Sequence, residues 1–184
     1  MSNSKTIKLM KKMAVLLCSM LVCMSALAGN PLKVTSSKVN LKDFMKKNAT
    51  ATLVLDWKNT TYDEKKSPLD EFSATDYEFI KKDCAEKFIE GFNDKSKGLK
   101  LGQGDKGDYQ FMITVKNIDS FINVMGWGSR TEAKMWGTLK IVDASGDTIA
   151  EINIDEAEDG TDYVRREAFG KTFLLLGERI AKLK

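Results

Sequence analysis

Three runs decide how this chain folds: Asp108–Asp119 (DYQFMITVKNID), Thr131–Asp143 (TEAKMWGTLKIVD) and Gly146–Asp155 (GDTIAEINID). In the first, Tyr109, Phe111, Ile113 and Val115 alternate with Gln110, Met112, Thr114 and Lys116. In the second, Ala133, Met135, Leu139 and Ile141 alternate with Lys134, Trp136, Thr138 and Lys140. In the third, Ala150, Ile152 and Ile154 alternate with Glu151 and Asn153. A period of two places one set on a buried face and the other on an open one. The Ala144-Ser145-Gly146 turn and the FINVMGWGSR connection (residues 121–130) join neighbouring runs and predict antiparallel pairing.

Outward from this centre, Ala51–Trp57 (ATLVLDW) reads as another half-buried strand, with Ala51, Leu53, Leu55 and Trp57 on its apolar face. Lys97–Leu101 predicts a short strand, and Asn40 a cap for a short helix carrying Leu41, Phe44 and Met45. Lys58–Ser73 reads as a long loop. Thr75-Asp76-Tyr77-Glu78 has the form of a capping box. Behind it Tyr77, Ile80, Cys84, Phe88 and Phe92 recur at helical spacing, predicting an amphipathic helix that ends near Asn93. A second helix is expected from a cap at Asp162 to Lys182, with Phe169, Phe173, Leu176, Ile180 and Leu183 inward. The expected fold is α+β: a mainly antiparallel sheet of four to six strands with two amphipathic helices on one face.

The amino terminus has a different character. Lys5, Lys8, Lys11 and Lys12 precede the apolar run Met13–Met24 and the small-residue site Ser25-Ala26-Leu27-Ala28, the pattern of a secretory signal peptide over residues 1–28. The run is shorter than the roughly 20 residues a membrane span needs. Neither Cys18 nor Cys23 follows a small residue, so no lipobox is present and the expected compartment is the periplasm or the exterior of a bacterial cell. Residues 29–184 are then one domain without a transmembrane segment. Of 29 Lys and Arg, four lie in the leader, leaving 25 against 26 acids, which is no nucleic-acid footprint. Only Cys84 of three cysteines falls outside the leader, so no intramolecular disulfide is expected.

Histidine is absent, which removes the commonest general base and zinc ligand. Cys84 on an apolar stripe reads as a buried hydrophobe, and Gly102-Gln103-Gly104 before a strand reads as a turn. No catalytic residue, cofactor or metal site is expected. The surface that stands out is the 121–130 connection, where Phe121, Met125, Trp127 and Arg130 sit among glycines, with Trp136 nearby on the open strand face. Asp143–Asp162 carries eight carboxylates and no cation. Two acids suffice for glycoside cleavage, so a carboxylate-dependent hydrolase is the alternative from another class. A lipid-carrying module, which needs an apolar cavity between sheet and helices, is a third.

The stretch 108–182 also resembles bacterial envelope proteins with a CsgG-like or TolB amino-terminal-like α/β domain. The residues that carry this are Asp108-Tyr109-Gln110-Phe111, Gly126-Trp127-Gly128, the run Gly137–Ile149 with its Val142-Asp143-Ala144-Ser145-Gly146 turn, and the closing Ile180-Ala181-Lys182. The resemblance implies a non-catalytic role in envelope assembly or binding, with an envelope protein or glycan as partner.

Overall fold

The computed structural model describes residues 30–104, 107–125 and 128–183, and among them the side chains of all but 125, 128 and 158–160. Seven strands form one sheet: β1 (Leu32–Ser37), β2 (Thr50–Asp56), β3 (Thr61–Tyr62), β4 (Lys100–Gly102), β5 (Tyr109–Met125), β6 (Gly128–Asp143) and β7 (Thr148–Asp162). Among the described residues four helices accompany it: the single turns α1 (Leu41–Phe44) and α2 (Pro68–Glu71), then α3 (Ala74–Lys95) and α4 (Arg165–Ala181). The strand order is β1-β7-β6-β5-β2-β4, with β3 beside β5 further along that edge.

The sheet is mixed, which corrects the expectation of a mainly antiparallel sheet of four to six strands with two helices. The three central runs pair antiparallel as read, and β1 joins β7 antiparallel. But β2 runs parallel to both β4 and β5, and β3 parallel to β5. The cause is the crossover. The chain leaves β2, climbs α3 and returns on the same side, and a connection of that length through a helix brings a strand back in the original direction. Alternation did not reveal this because, among the described residues, no helix covers the far face of the sheet, so even parallel strands keep one open face here.

The alternating sets fall as the pattern predicts. Phe111, Ile113, Val115, Met135, Leu139, Ile141, Ile152 and Ile154 are all buried beneath the long helices. The stripe Tyr77, Ile80, Cys84, Phe88 and Phe92 of α3 and Phe169, Phe173, Leu176 and Ile180 of α4 meet them. Trp57 closes the layer, stacked on Phe173 with ring centres 5.8 Å apart. α3 and α4 approach closely because glycines stand at their crossing: a methyl built on Gly91 would lie 2.0 Å from the Leu174 carbonyl oxygen.

The helix ends differ from the reading. Ser73, not Thr75, caps α3, its hydroxyl accepting from the Asp76 amide at 3.1 Å. α4 begins at Arg165 after Val164, which gives no side-chain cap, while Asp162 accepts from the Val164 amide and pairs with Lys171 at 2.6 Å. The expected 58–73 loop holds β3 and α2, the latter closed by a Ser67/Asp70 capping box with Pro68 in its first turn. A bulge between Val115 and Asn117 inserts Lys116 and moves the core-facing positions of β5 from odd to even, so that Ile118 is buried and lies opposite Met135.

Candidate binding surface

With α3 and α4 on one side, the other side of the sheet is bare among the described residues, and register fixes what it presents. One cross-strand row reads Val54, Met112, Lys140, Glu151 and Ser36; the next reads Asp56, Thr114, Thr138, Asn153 and Lys33. Within the first, the Lys140 ammonium lies 3.8 Å from Glu151, while Val54 and Met112 remain exposed. Trp136 is half-buried on this face, opposite Asn117. The face is mixed: an exposed apolar pair, Val54 with Met112, then a polar row, then Trp136 about 13 Å along β6 from Lys140.

Beyond Trp136 the face continues onto the far end of the β5–β6 pair. The expected connecting loop at 121–130 is strand on both sides, β5 running to Met125 and β6 starting at Gly128. Phe121 lies opposite Glu132 and Asn123 opposite Arg130. Lys134 sits over the Phe121 ring at 5.3 Å and pairs with Glu156. Asn123 donates to Glu132 at 2.7 Å. Arg130 turns to Tyr163, its guanidinium 5.1 Å from the ring centre and donating to the hydroxyl at 3.1 Å.

Of the five residues singled out from sequence, Phe121 and Trp136 thus share one face, about 13 Å apart by strand rise. Arg130 is engaged with Tyr163. Trp127 lies outside the described residues, as does the side chain of Met125.

Sequence reasoning missed Ile122 and a polar cluster at the helix starts. Ile122 and Val124 point to the opposite side of the same ribbon and are 66% and 79% exposed. In the cluster, Arg165 reaches Glu71 at 2.7 Å, the Ser120 hydroxyl at 2.8 Å and the Tyr62 hydroxyl, between the rings of Tyr62 and Phe72. Arg166 pairs with Asp76 at 2.9 Å and lies over Phe79. Of these groups, Glu71, Phe72, Asp76, Arg165 and Arg166 border an open cleft of about 370 Å³. The Arg165 guanidinium holds the Glu71 carboxyl below its usual range, and the Ser73 hydroxyl with Arg166 does the same for Asp76. A signal for the cluster did exist: two arginines in the first turn of α4 oppose the helix dipole and call for carboxylates.

Among the described side chains of the acidic stretch no catalytic pair gathers. Asp143 accepts from Ser145 and the Asp147 amide in the β6–β7 turn, Glu151 and Glu156 face lysines, and Asp162 holds Lys171. Hydrogen bonds keep the carboxyls of Asp143 and Asp162 below their usual range, the wrong direction for a general acid. Among the described residues no group of three or more His, Cys, Asp or Glu could hold a metal. Burial pushes the Cys84 thiol well up, consistent with a packing role. The space between sheet and helices is occupied by Phe88, Phe92, Phe111, Phe169 and Phe173, the place where a lipid chamber would be needed.

No family model matches the chain, and no curated protein matches it. Among solved structures, it is similar to the PelC dodecamer from Paraburkholderia phytofirmans at 8% identity, covering 81% of this chain and 95% of that one, with a TM-score of 0.42. It is also similar to a putative neuraminyllactose-binding hemagglutinin homolog from Helicobacter pylori at 10% identity, covering 74% and 86%, with a TM-score of 0.43. A minor lipoprotein from Acinetobacter baumannii aligns at 12% identity over 73% of this chain and 93% of that one, with a TM-score of 0.38.

Proposed function

We propose that this chain is a non-enzymatic binding module of the bacterial cell envelope, carried to the periplasm or beyond by its leader. It takes an envelope protein or glycan on the bare face of its sheet. The observation that supports this reading is the apolar side chains that this face turns outward, Val54 and Met112 in one row and Trp136 two rows on. A sheet side turned to water ordinarily presents polar residues, whereas here Val54 and Met112 are exposed in the row of the Lys140–Glu151 pair and Trp136 is half-buried beyond the next, polar row. Tryptophan and methionine are among the residues enriched at partner surfaces. The resemblance to CsgG-like and TolB amino-terminal-like domains points the same way.

The test is photo-cross-linking in intact cells, with a photoreactive residue at 112 or 136 and a control at Lys82, on the exposed side of α3. A discrete adduct from 112 and 136 and none from 82 is the expected result. Equal labelling from all three positions, or none from any, would remove the bare face as the binding site.

A further inference from the structure

The end of β5 is an open sheet edge, and its backbone determines what can fill it. β3 runs beside β5 only as far as Tyr62, opposite Ile118, and the chain then turns off through Asp63 and Glu64, both with positive φ. The Ile118 carbonyl accepts from the Asp63 amide and the Ser120 carbonyl from the Tyr62 hydroxyl, so the even positions of β5 direct their backbone groups to this side. Ser120 is closed by side chains, its amide donating to Asp119 at 2.7 Å. Ile122 and Val124 come next on the same side, and among the described residues no strand lies beside them.

This edge lacks the usual guards. Natural edge strands are blunted by lysine, proline, a bulge or an inward charge, and Ser120–Met125 (SFINVM) contains no charge and no proline. Its irregularity in pairing is further back, between Val115 and Asn117. The two exposed side chains on its helix-side face, Ile122 and Val124, are both apolar and β-branched.

We propose that a second copy of this chain fills the edge, the two β5 ends pairing antiparallel about a two-fold axis at Asn123. The outward-pointing positions fix this register. Centred on Asn123, Ile122 of one copy lies opposite Val124 of the other and the reverse, so the four open amide and carbonyl pairs satisfy one another and Ser120 keeps its present partners. The apolar side chains of Ile122 and Val124 meet on one face, and no like charges oppose. A two-fold contact requires such self-complementarity. A centre one residue earlier would instead set Val124 against Ser120, whose amide and carbonyl are already engaged. The contact is small beside the roughly 1,200–2,000 Å² of standard interfaces, so association is concentration-dependent and weak.

The register supplies the test. Two Asn123 residues would form a non-hydrogen-bonded pair with Cα atoms about 4.5 Å apart, within the span of a disulfide. Two Phe121 residues would be roughly 14 Å apart, beyond it. The chain, expressed with its own leader and recovered from an oxidising compartment, is run without reductant as wild type, Asn123→Cys and Phe121→Cys. The expected result is a band of twice the chain mass for Asn123→Cys alone, lost when Ile122→Lys is added. Sedimentation of the otherwise unaltered protein should show reversible dimerisation, and Ile122→Lys should sediment as a monomer with an unchanged circular dichroism spectrum. The proposal is overturned if Asn123→Cys gives no dimer, if Phe121→Cys cross-links as well, or if Ile122→Lys still dimerises. An Asn123→Cys adduct of another mass would place a foreign strand on the edge and overturn it equally.

Discussion

Replacing Gly91 with alanine sets two effects of known sign against each other. In an isolated helix the change is favourable by about 1 kcal/mol, because alanine has less backbone freedom to lose. In this protein the added methyl would stand 2.0 Å from the Leu174 carbonyl oxygen and 2.8 Å from its carbon. Ordinary carbon–oxygen contact is above 3 Å, so α3 and α4 must separate by about 1 Å or the Leu174 peptide must rotate. Neither is cheap, because Gly177 holds the same crossing from the other side, its own added methyl lying 2.3 Å from the Phe88 carbonyl oxygen. Separation would also loosen Phe88 and Phe92 from the sheet, and both are fully buried. Overpacking of this kind costs typically 1–3 kcal/mol, and a clash with backbone belongs at the upper end. The net expectation is a loss of about 2 kcal/mol, or a fall of about 4–8 °C in melting temperature for a domain of this size. Urea titration of Gly91→Ala beside Gly102→Ala measures it, since nothing lies within 4 Å of a methyl on Gly102. If Gly91→Ala were as stable as wild type, propensity would have outweighed the contact, and the close approach of the two helices would be refuted.

Two further predictions concern charge. Arg165→Ala removes the group that ties Glu71, Tyr62 and Ser120 together and should cost about 1–3 kcal/mol, with faster proteolysis between 63 and 73. Arg165→Lys should not restore protection, because a single ammonium cannot reach three partners while lying between two rings; full rescue by lysine would show that charge alone suffices. Asp83 titrates in the opposite sense to Glu71. Burial, together with Glu86, Glu167 and Glu90, raises its carboxyl above the ordinary 3.8 against the opposing pull of Lys87. The folded state therefore holds this proton to higher pH than the unfolded state, and stability falls as pH rises from 3.8 through the folded value. Asp83→Asn should be more stable than wild type at neutral pH and lose that advantage below pH 3.8; an advantage independent of pH would show that ionisation is not its cause.

Much of the architecture is local in origin and could be read directly. Period-two alternation located β2, β5, β6 and β7 and named their buried residues, because a strand's faces are set by successive side chains. The three-and-four spacing from Tyr77 and from Phe169 did the same for α3 and α4. The candidate surface was legible in part, since Trp136 was placed on the open face by the same alternation. The bulge at Lys116 was not legible, because one extra residue changes which side chains are buried only when a partner strand fixes the register.

The sequence by itself therefore determined the main strands β2, β5, β6 and β7, the two long helices and most of the residues these elements bury, through periodicities written in neighbouring positions, but not β3, α2 or the continuation of β5 and β6 through 121–130. Only the tertiary structure decided the direction of β2 against β5, the gathering of Arg165 with Tyr62, Glu71 and Ser120, and the open edge at Ile122 and Val124. Each depends on segments far apart in the chain meeting in one register. Strand direction follows the path of the α3 crossover, and an edge is open only because β3 turns away after Tyr62, facts that no local pattern encodes.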